Sequence, residues 1–493
     1  MDDIAGVTAE TLEMMKKAVT SGILTSTGIQ GIDLSGLTAL VPVNVPARNN
    51  TSAFPRVIAG QGSQTAVWRT ILNINDQQAD AAVGYDYAGS LTKFEEQNCF
   101  APYKPLAKAG RVTLDAVAVA RNYADALAVA ELQTLNQLFI DQDLHIINSQ
   151  NWSLGEANAP TYVDGVAKST PAAREEEIEV AVAVRSGANY FIGGAGKAKA
   201  GAAHKALKEQ TVIATTDAVK GAVAYDWYVG KKANKLFYYT TTTVASVVVG
   251  AIPTEAEALP TNLPLLSKAT PVAEASLTTD LSYSANWYNG VIANTLGDYG
   301  ETGPVTPGSE GSVASGATFI DYKGAALTAS GASIPLLDEI NAELWNNVQL
   351  SPTAYMCSSR DAAKISELLL DTTAALTLLP PTDATARTNL AGGGYIGVYL
   401  NKAVGGVPVV IEVHPHVVPG TIIARTDRVP FPGSNIGSVF EVRCQYDTMR
   451  FDYAANYEAE VLGGGPRYDF EIRSLETLVN RAPVAQAVAC NIS

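Results

Sequence analysis

Two histidines flank a proline at His414-Pro415-His416, where a pair of imidazoles could be offered to a metal ion. A structural metal site of this kind takes four His or Cys ligands at short spacings. The other histidines are His145 and His204, and the four cysteines, Cys99, Cys357, Cys444 and Cys490, form no C-x-x-C pair. His414 and His416 therefore read as a proline-defined turn, and the cysteines as small buried hydrophobes. The run IGGAGKAKAGAAHK at 192–205 invites a phosphate-loop reading. It lacks the pattern: Gly196-Lys197 is followed by Ala198 instead of Ser or Thr, and Phe191 stands where the upstream glycine belongs. A flexible loop is expected there. Ser90-Leu91-Thr92-Lys93 has the S-x-x-K spacing without its companion motifs, and no nucleophile elbow, H-E-x-x-H or EF-hand loop occurs. The expectation is no enzyme, with no catalytic, cofactor-binding or metal-ligating residue.

Without a chemical centre, function must lie in how the elements are arranged. The organising stretch runs from Asn122 to Asn148 with neither proline nor glycine. Leu127, Ala128, Leu132, Leu135, Leu138, Phe139 and Ile146 recur at helical spacing, so one long helix of roughly 40 Å is predicted. Asn122 is its expected N-cap and Asp125 places a negative charge in its first turn. Glu131, Gln133, Asp141 and Asp143 are expected on its wet back.

The composition frames this beam. A chain of 493 residues suggests about three domains. Only 17% of residues are charged, against an ordinary ~25%. That is the profile of a rigid protein with much surface buried against neighbours. A net charge of -15 argues against general phosphate-backbone binding. The first residues lack the basic and apolar regions of a signal peptide, and no stretch has the length of a membrane span, so a soluble protein made in a cytoplasm is expected.

Taken in order, residues 1–51 read as an arm with a short helix, in which Thr8 caps and Leu12, Met15 and Val19 share a face. Residues 52–118 read as a two-stranded excursion: Ala66, Trp68, Thr70, Leu72 and Ile74 share one parity, and RVTLDAVAV returns with Val112, Leu114 and Ala116. Such an excursion is marginal by itself and needs a supporting surface. Residues 152–285 read as an inserted β-sandwich between proline-rich linkers, with Ile178, Val180, Val182 and Val184 on one strand and Val223, Tyr225, Trp227 and Val229 on another. Residues 286–436 are mixed. A helix with Ser333 near its cap, Pro335 in its first turn and Leu337, Ile340, Leu344 and Val348 inward precedes the strand TAYMC, a second capped helix, a long loop at 371–394, and the strands VPVVIEV and TIIARTD. Residues 437–493 close the chain with long strands, RYDFEIR placing Tyr468, Phe470 and Ile472 on one face.

Four stretches, in this order, resemble the major capsid protein of tailed bacteriophages, the HK-ninety-seven fold. RVTLDAVAVARNYADALAVAELQTLNQLFIDQDLHIIN resembles that family's passage from extended loop into spine helix, and VKGAVAYDWYVGKKANKLFYYTTTTVASV resembles immunoglobulin-like modules inserted in some of its members. IPLLDEINAELWNNVQLSPTAYMCSSRDAAKISELLLD resembles its helix, buried strand, N/S-x-R-D turn and following helix. GGVPVVIEVHPHVVPGTIIARTD resembles its G-x-P-V strand and glycine-led return, here Gly406, Pro408, Val409 and Gly420.

The resemblance implies an α+β phage capsid fold: N-terminal arm 1–51, E-loop 52–118, P-domain spine helix 119–151, an inserted immunoglobulin-like β-sandwich 152–285 standing on the outer face, A domain 286–436, and P-domain strands with the C-terminus at 437–493. It implies pentamers and hexamers of an icosahedral shell that encloses double-stranded DNA without reading its sequence. Partners would be other copies of itself, a separate scaffolding protein, a portal and decoration proteins, with no membrane. Assembly would take place in the host cytoplasm and the product would be the virion. Lys104, Lys108 and Arg111 are expected to meet acidic patches on a neighbour; Lys93, Lys104 and Lys108 fix no crosslink partner. Two other readings stay open: an encapsulin, separated by its cargo, and an extracellular β-rich adhesin or surface-layer protein.

Overall fold

The computed structural model describes residues 54–58, 64–74, 95–120, 125–164, 177–205, 211–230, 236–250, 279–331, 333–370, 397–430, 436–452 and 467–493. The expected arm at 1–51, the Asn122 cap, Ser90 and Lys93, and the loop at 371–394 lie outside these residues. The described residues fall into two compact units. One is drawn from Met1–Ala66, Pro102–Leu144 and Val442–Thr477, the other from Val67–Ala101, His145–Glu441 and Leu478–Ser493.

The first unit is built on a four-stranded sheet in the order Arg56–Ile58, Phe440–Asp452, Arg467–Asn480, Lys104–Thr113. Lys104–Thr113 pairs antiparallel with the closing strand, Arg111 opposite Asp469 and Gly110 opposite Phe470. This corrects the expected excursion, in which residues after Pro105 return along the first strand. The returning strand is Glu95–Pro102, hydrogen-bonded to Thr65–Asn73. A second correction follows: Leu114–Ala120 is a short helix. Alternating Val, Leu and Ala over so few residues fit either period, and the oxygen of Thr113 accepting the Ala116 N–H at 3.3 Å stabilises the first turn.

The long helix runs from Ala126 to Asn148. Asp125 is its N-cap, its Oδ1 accepting the N–H groups of Leu127 and Ala128. The burial pattern departs from a single stripe. Leu138 and Ile146 are buried, but Leu132 is 55% exposed, whereas Asp143, expected to be wet, is buried. From Gln142 to Gln150 every residue is buried, polar ones included, because the last turns are enclosed on all sides.

In the second unit, seven described strands form two sheets, one of four strands in the order Leu236–Thr242, Ala224–Gly230, Glu179–Arg185, Lys199–Ala200, the other of three in the order Ser246–Val249, Val212–Thr215, Thr161–Asp164. Val180, Val182, Val184, Trp227 and Val229 from the first share one buried cluster with Val212, Ala214, Val247 and Val249 from the second. Two sheets enclosing one core make a sandwich. Its strand order differs from the ABED and CFG sheets of an immunoglobulin constant domain. Alternation reveals which face of a strand is buried; it carries no information about its neighbours in the sheet. Glu179–Arg185 and Ala224–Gly230 are buried on both faces. On the far side Ala181, Ala183, Tyr228 and Leu236 pack with Ala198 of the glycine-rich run. That run, expected as a flexible loop, is a packed segment whose small residues let it lie against an alanine-lined sheet.

A six-stranded sheet completes this unit, in the order Thr318–Asp321, Ala487–Cys490, Ile422–Arg425, Ala354–Cys357, Val407–Val413, Val398–Asn401. The helices Pro335–Val348 and Ser359–Leu370 share one core with it, Leu337, Ile340, Leu344 and Ile365 meeting Tyr355, Val409 and Ile422. Pro335 opens the first helix behind Ile334, and Ser333 does not cap it. Ala487–Cys490 pairs with Ile422–Arg425 and with Thr318–Asp321. The last strand, Ala487–Cys490, therefore belongs to this sheet, whereas the expected division grouped it with the closing strands.

Candidate assembly surfaces

The chemically suggestive residues come first. His414 is buried, and its Nδ1 accepts the backbone N–H of His416 at 3.2 Å, which fixes the turn around Pro415. The carbonyl of His416 accepts from Asn148 Nδ2, and the two rings lie 5.6 Å apart. One nitrogen of the pair is thus used inside the turn. Among the described residues no group of three His, Cys, Asp or Glu is placed to hold a metal ion. Cys99, Cys357, Cys444 and Cys490 are free and buried. Burial pushes the Cys99 thiol up to about 11 and those of Cys357, Cys444 and Cys490 to about 12.

The basic residues expected to reach a neighbouring molecule are partly engaged inside the first unit. Lys108 Nζ lies 2.5 Å from Asp141 Oδ2 on the long helix. Arg111 donates to both oxygens of Asp469, at 2.7 and 3.2 Å, across the strand pair. Sequence spacing could not reveal these partners, since Arg111 and Asp469 are brought together only by sheet register. The same unit holds a buried polar knot that no motif signals. Glu476 is fully buried, and its Oε2 accepts from Arg56 at 2.7 Å and from Gln142 Nε2 at 3.3 Å, while Arg56 also reaches Asp447 at 2.9 Å. Through this knot the three-residue strand Arg56–Ile58 is held to the sheet by more than its backbone pairing.

The base of the hairpin Thr65–Asn73 and Glu95–Pro102 is supported within the second unit. Thr70 Oγ1 donates to Asn480 O at 3.1 Å, Ile71 N to Arg481 O at 2.8 Å, and Phe100 N to Glu301 O at 2.8 Å. Trp68 and Cys99 are buried against this support, while Val67, Arg69 and Phe100 alternate outward into solvent. The marginal excursion therefore finds its first surface in its own chain.

Exposed apolar side chains among the described residues gather, among other places, at two strand surfaces. On the edge of the six-stranded sheet, Tyr399, Val409 and Ile411 face the core, and the opposite parity faces solvent. Val398 stands opposite Val410, and Leu400 opposite Pro408, so these four form cross-strand apolar pairs on an open sheet face. Val398, Leu400 and Val410 are 46%, 47% and 46% exposed. The signal was present in VPVVIEV, a run apolar on both parities although one core is all that covers it. In the first unit, Met449, Phe451 and Tyr468 are exposed near the far end of the closing strands. Arg450 there lies 5.4 Å from the Phe470 ring centre and pairs with Glu131 on the long helix.

Among the described residues no helix is long and apolar enough to cross a membrane. No protein-family model matches the chain, and no curated protein matches it. Similar solved structures include the capsid of a native GTA particle, 7% identical with a TM-score of 0.39, covering 91% of each chain. A virus-like particle from Pyrococcus furiosus is 9% identical with a TM-score of 0.31, covering 90% of this chain and 92% of the other. The SrpI encapsulin of Synechococcus elongatus is 10% identical with a TM-score of 0.35, covering 90% and 86%.

Proposed function

We propose that this chain is the subunit of a closed protein shell of the tailed-phage capsid type, assembling as pentamers and hexamers around double-stranded DNA. The observation that carries this reading is the apolar edge of the six-stranded sheet. Val398, Leu400, Pro408 and Val410 are displayed together on a rigid, well-packed scaffold, where a solitary soluble protein would place polar side chains. The order of hairpin, long helix, sandwich, six-stranded sheet and closing strands supports it, being the order in which the family-like stretches follow one another in the sequence.

In this reading the hairpin is the E-loop, the long helix and the four-stranded sheet are the P domain, and the six-stranded sheet with its two helices is the A domain. The sandwich is an insertion on the shell. Many weak contacts repeated by symmetry then hold a shell that no single contact could. The negative net charge suits a wall that does not trap the DNA it encloses.

Electron microscopy and sedimentation of the full chain, co-expressed with its genomic neighbours, test this. Closed shells or five- and six-fold rings are expected, with Leu400→Asp and Val410→Asp leaving the subunit folded but unassembled. DNA inside the shells supports the phage form, and a protein cargo the encapsulin form. A uniform monomer in every condition would overturn the proposal.

A further inference from the structure

The turn at 243–245 links two strands that belong to different sheets of the sandwich, Leu236–Thr242 and Ser246–Val249. It sits against three points of the six-stranded sheet and its loops. Asn491 Oδ1 accepts the N–H of Ala245 at 2.7 Å, while Asn491 Nδ2 donates to Asp321 Oδ1 at 2.7 Å. A methyl group added at Gly324 would stand 2.7 Å from Val244 Cγ1, and one at Gly420 would stand 2.6 Å from the carbonyl of Ile492 and 3.4 Å from Thr243 Oγ1. Both glycines have left-handed backbones, with φ of 75° and 84°.

Strain gathers at the same place. Among the described residues three that are not glycine have positive φ, and two of them, Lys323 at 53° and Asn491 at 63°, line this seat. Such conformations persist where their surroundings over-determine them. The surroundings here are visible: Gly324 N donates to Asn491 O at 2.8 Å, Lys323 N to Asp321 Oδ1 at 2.9 Å, and Ile492 N to Gly420 O at 3.2 Å. Gly420 is braced in turn by Asp361, whose Oδ2 accepts its N–H at 2.9 Å.

We propose that Asn491 is a positioning clasp that locks the sandwich onto the six-stranded sheet in one orientation. Its carboxamide is suited to this role because it offers an acceptor to Ala245 and a donor to Asp321 at once. An appendage hung from linkers would need none of this. The sandwich is thereby a fixed part of the subunit, and its bearing is set in the single chain before any assembly. The inference goes beyond the shell reading and does not depend on it.

Amide hydrogen exchange on the full chain, read at single residues and normalised for pH, tests the clasp. Asn491→Gly removes the side chain while relieving the strained backbone, and Asn491→Ala removes it without that relief. Both are expected to speed exchange at Ala245 about tenfold or more, as loss of one well-buried hydrogen bond allows, while Val182, Trp227 and Met356 keep their protection. Asn491→Asp keeps the acceptor but at neutral pH turns a second carboxylate toward Asp321. It should unlatch at pH 7 and recover protection on acidification, where one proton held between the two carboxyls restores a donor. Unchanged exchange at Ala245 in the glycine variant, a disturbance confined to the alanine variant, or loss of protection at all these amides together would each overturn the proposal. So would an aspartate variant whose exchange does not respond to pH.

Discussion

Arg185 Nε donates to Asp226 Oδ2 at 2.6 Å, and both side chains are buried between strands of the sandwich. Thr241 Oγ1 satisfies the other carboxylate oxygen at 2.5 Å, and Arg185 Nη1 donates to Asn189 O at 2.9 Å. Both carboxylate oxygens and two of the three guanidinium nitrogens are therefore hydrogen-bonded. Removing one partner strands the other charge in a medium that cannot solvate it, at a cost of about 3–5 kcal/mol, whereas replacing both with apolar groups is often nearly neutral. Arg185→Met should lower the urea midpoint sharply, and adding Asp226→Leu should restore most of the loss. A cost below about 1 kcal/mol for Arg185→Met, the range of an exposed pair, would contradict the packing described for these strands.

The thiols give a chemical readout of burial. Desolvation holds Cys99 at about 11 and Cys357, Cys444 and Cys490 at about 12, so at pH 8 the thiolate that reacts with alkylating agents is scarce in all four. Iodoacetamide at pH 8 should add no mass to the native chain within the time that labels free cysteine. In guanidinium chloride it should add four carbamidomethyl groups. A single adduct on the native protein would show that one of these residues is reachable from solvent.

Lys108 and Asp141 offer a test of where the basic side chains of the first unit find their partners. Both are partly exposed, so the pair should contribute only about 0.2–1 kcal/mol. Lys108→Glu should lower stability by a similar amount in low salt, and Lys108→Glu with Asp141→Lys should recover it. If reversal at Lys108 alters the salt dependence of assembly while leaving subunit stability untouched, the partner lies on a neighbouring molecule instead.

What the sequence made legible follows the range of its signals. The helix Pro335–Val348 was readable because Leu337, Ile340, Leu344 and Val348 carry a 3.6-residue period that a single core rewards, and all four are buried. Trp227 was readable as core for the analogous reason in a strand. The long helix was readable in extent but not in burial, since Asp143 and Gln142 are enclosed by segments distant in sequence. Sheet order was not readable. Nothing local tells Lys104–Thr113 to pair with the closing strand instead of Thr65–Asn73, because that choice is made by cross-strand partners such as Arg111 and Asp469, more than three hundred residues apart. The exposed edge at Val398, Leu400 and Val410 was missed for a related reason: an apolar run announces two buried faces, and only the tertiary structure reveals which one is left uncovered.

Asp361 allows the pH dependence of one buried contact to be worked out. Its carboxyl accepts from Ser358 Oγ at 2.8 Å and from Gly420 N at 2.9 Å, joining the start of the helix Ser359–Leu370 to the loop before Ile422. Burial raises its pKa above the ordinary aspartate value, outweighing those hydrogen bonds and the nearby Arg360. A group raised on folding binds its proton more tightly in the native state. Its contribution to stability is thus complete below the unfolded pKa of about 3.9 and is lost as pH rises through the folded value. Asp361→Asn keeps the shape but carries no charge at any pH. The stability of the natural protein relative to this variant should therefore increase as pH is lowered from 7.5 toward 4.5, a difference in which acid effects common to both chains cancel. Urea titrations of the two proteins at both pH values measure it. A difference that shrinks on acidification would mean that the carboxylate is better solvated by Ser358, Gly420 and Arg360 than burial penalises it.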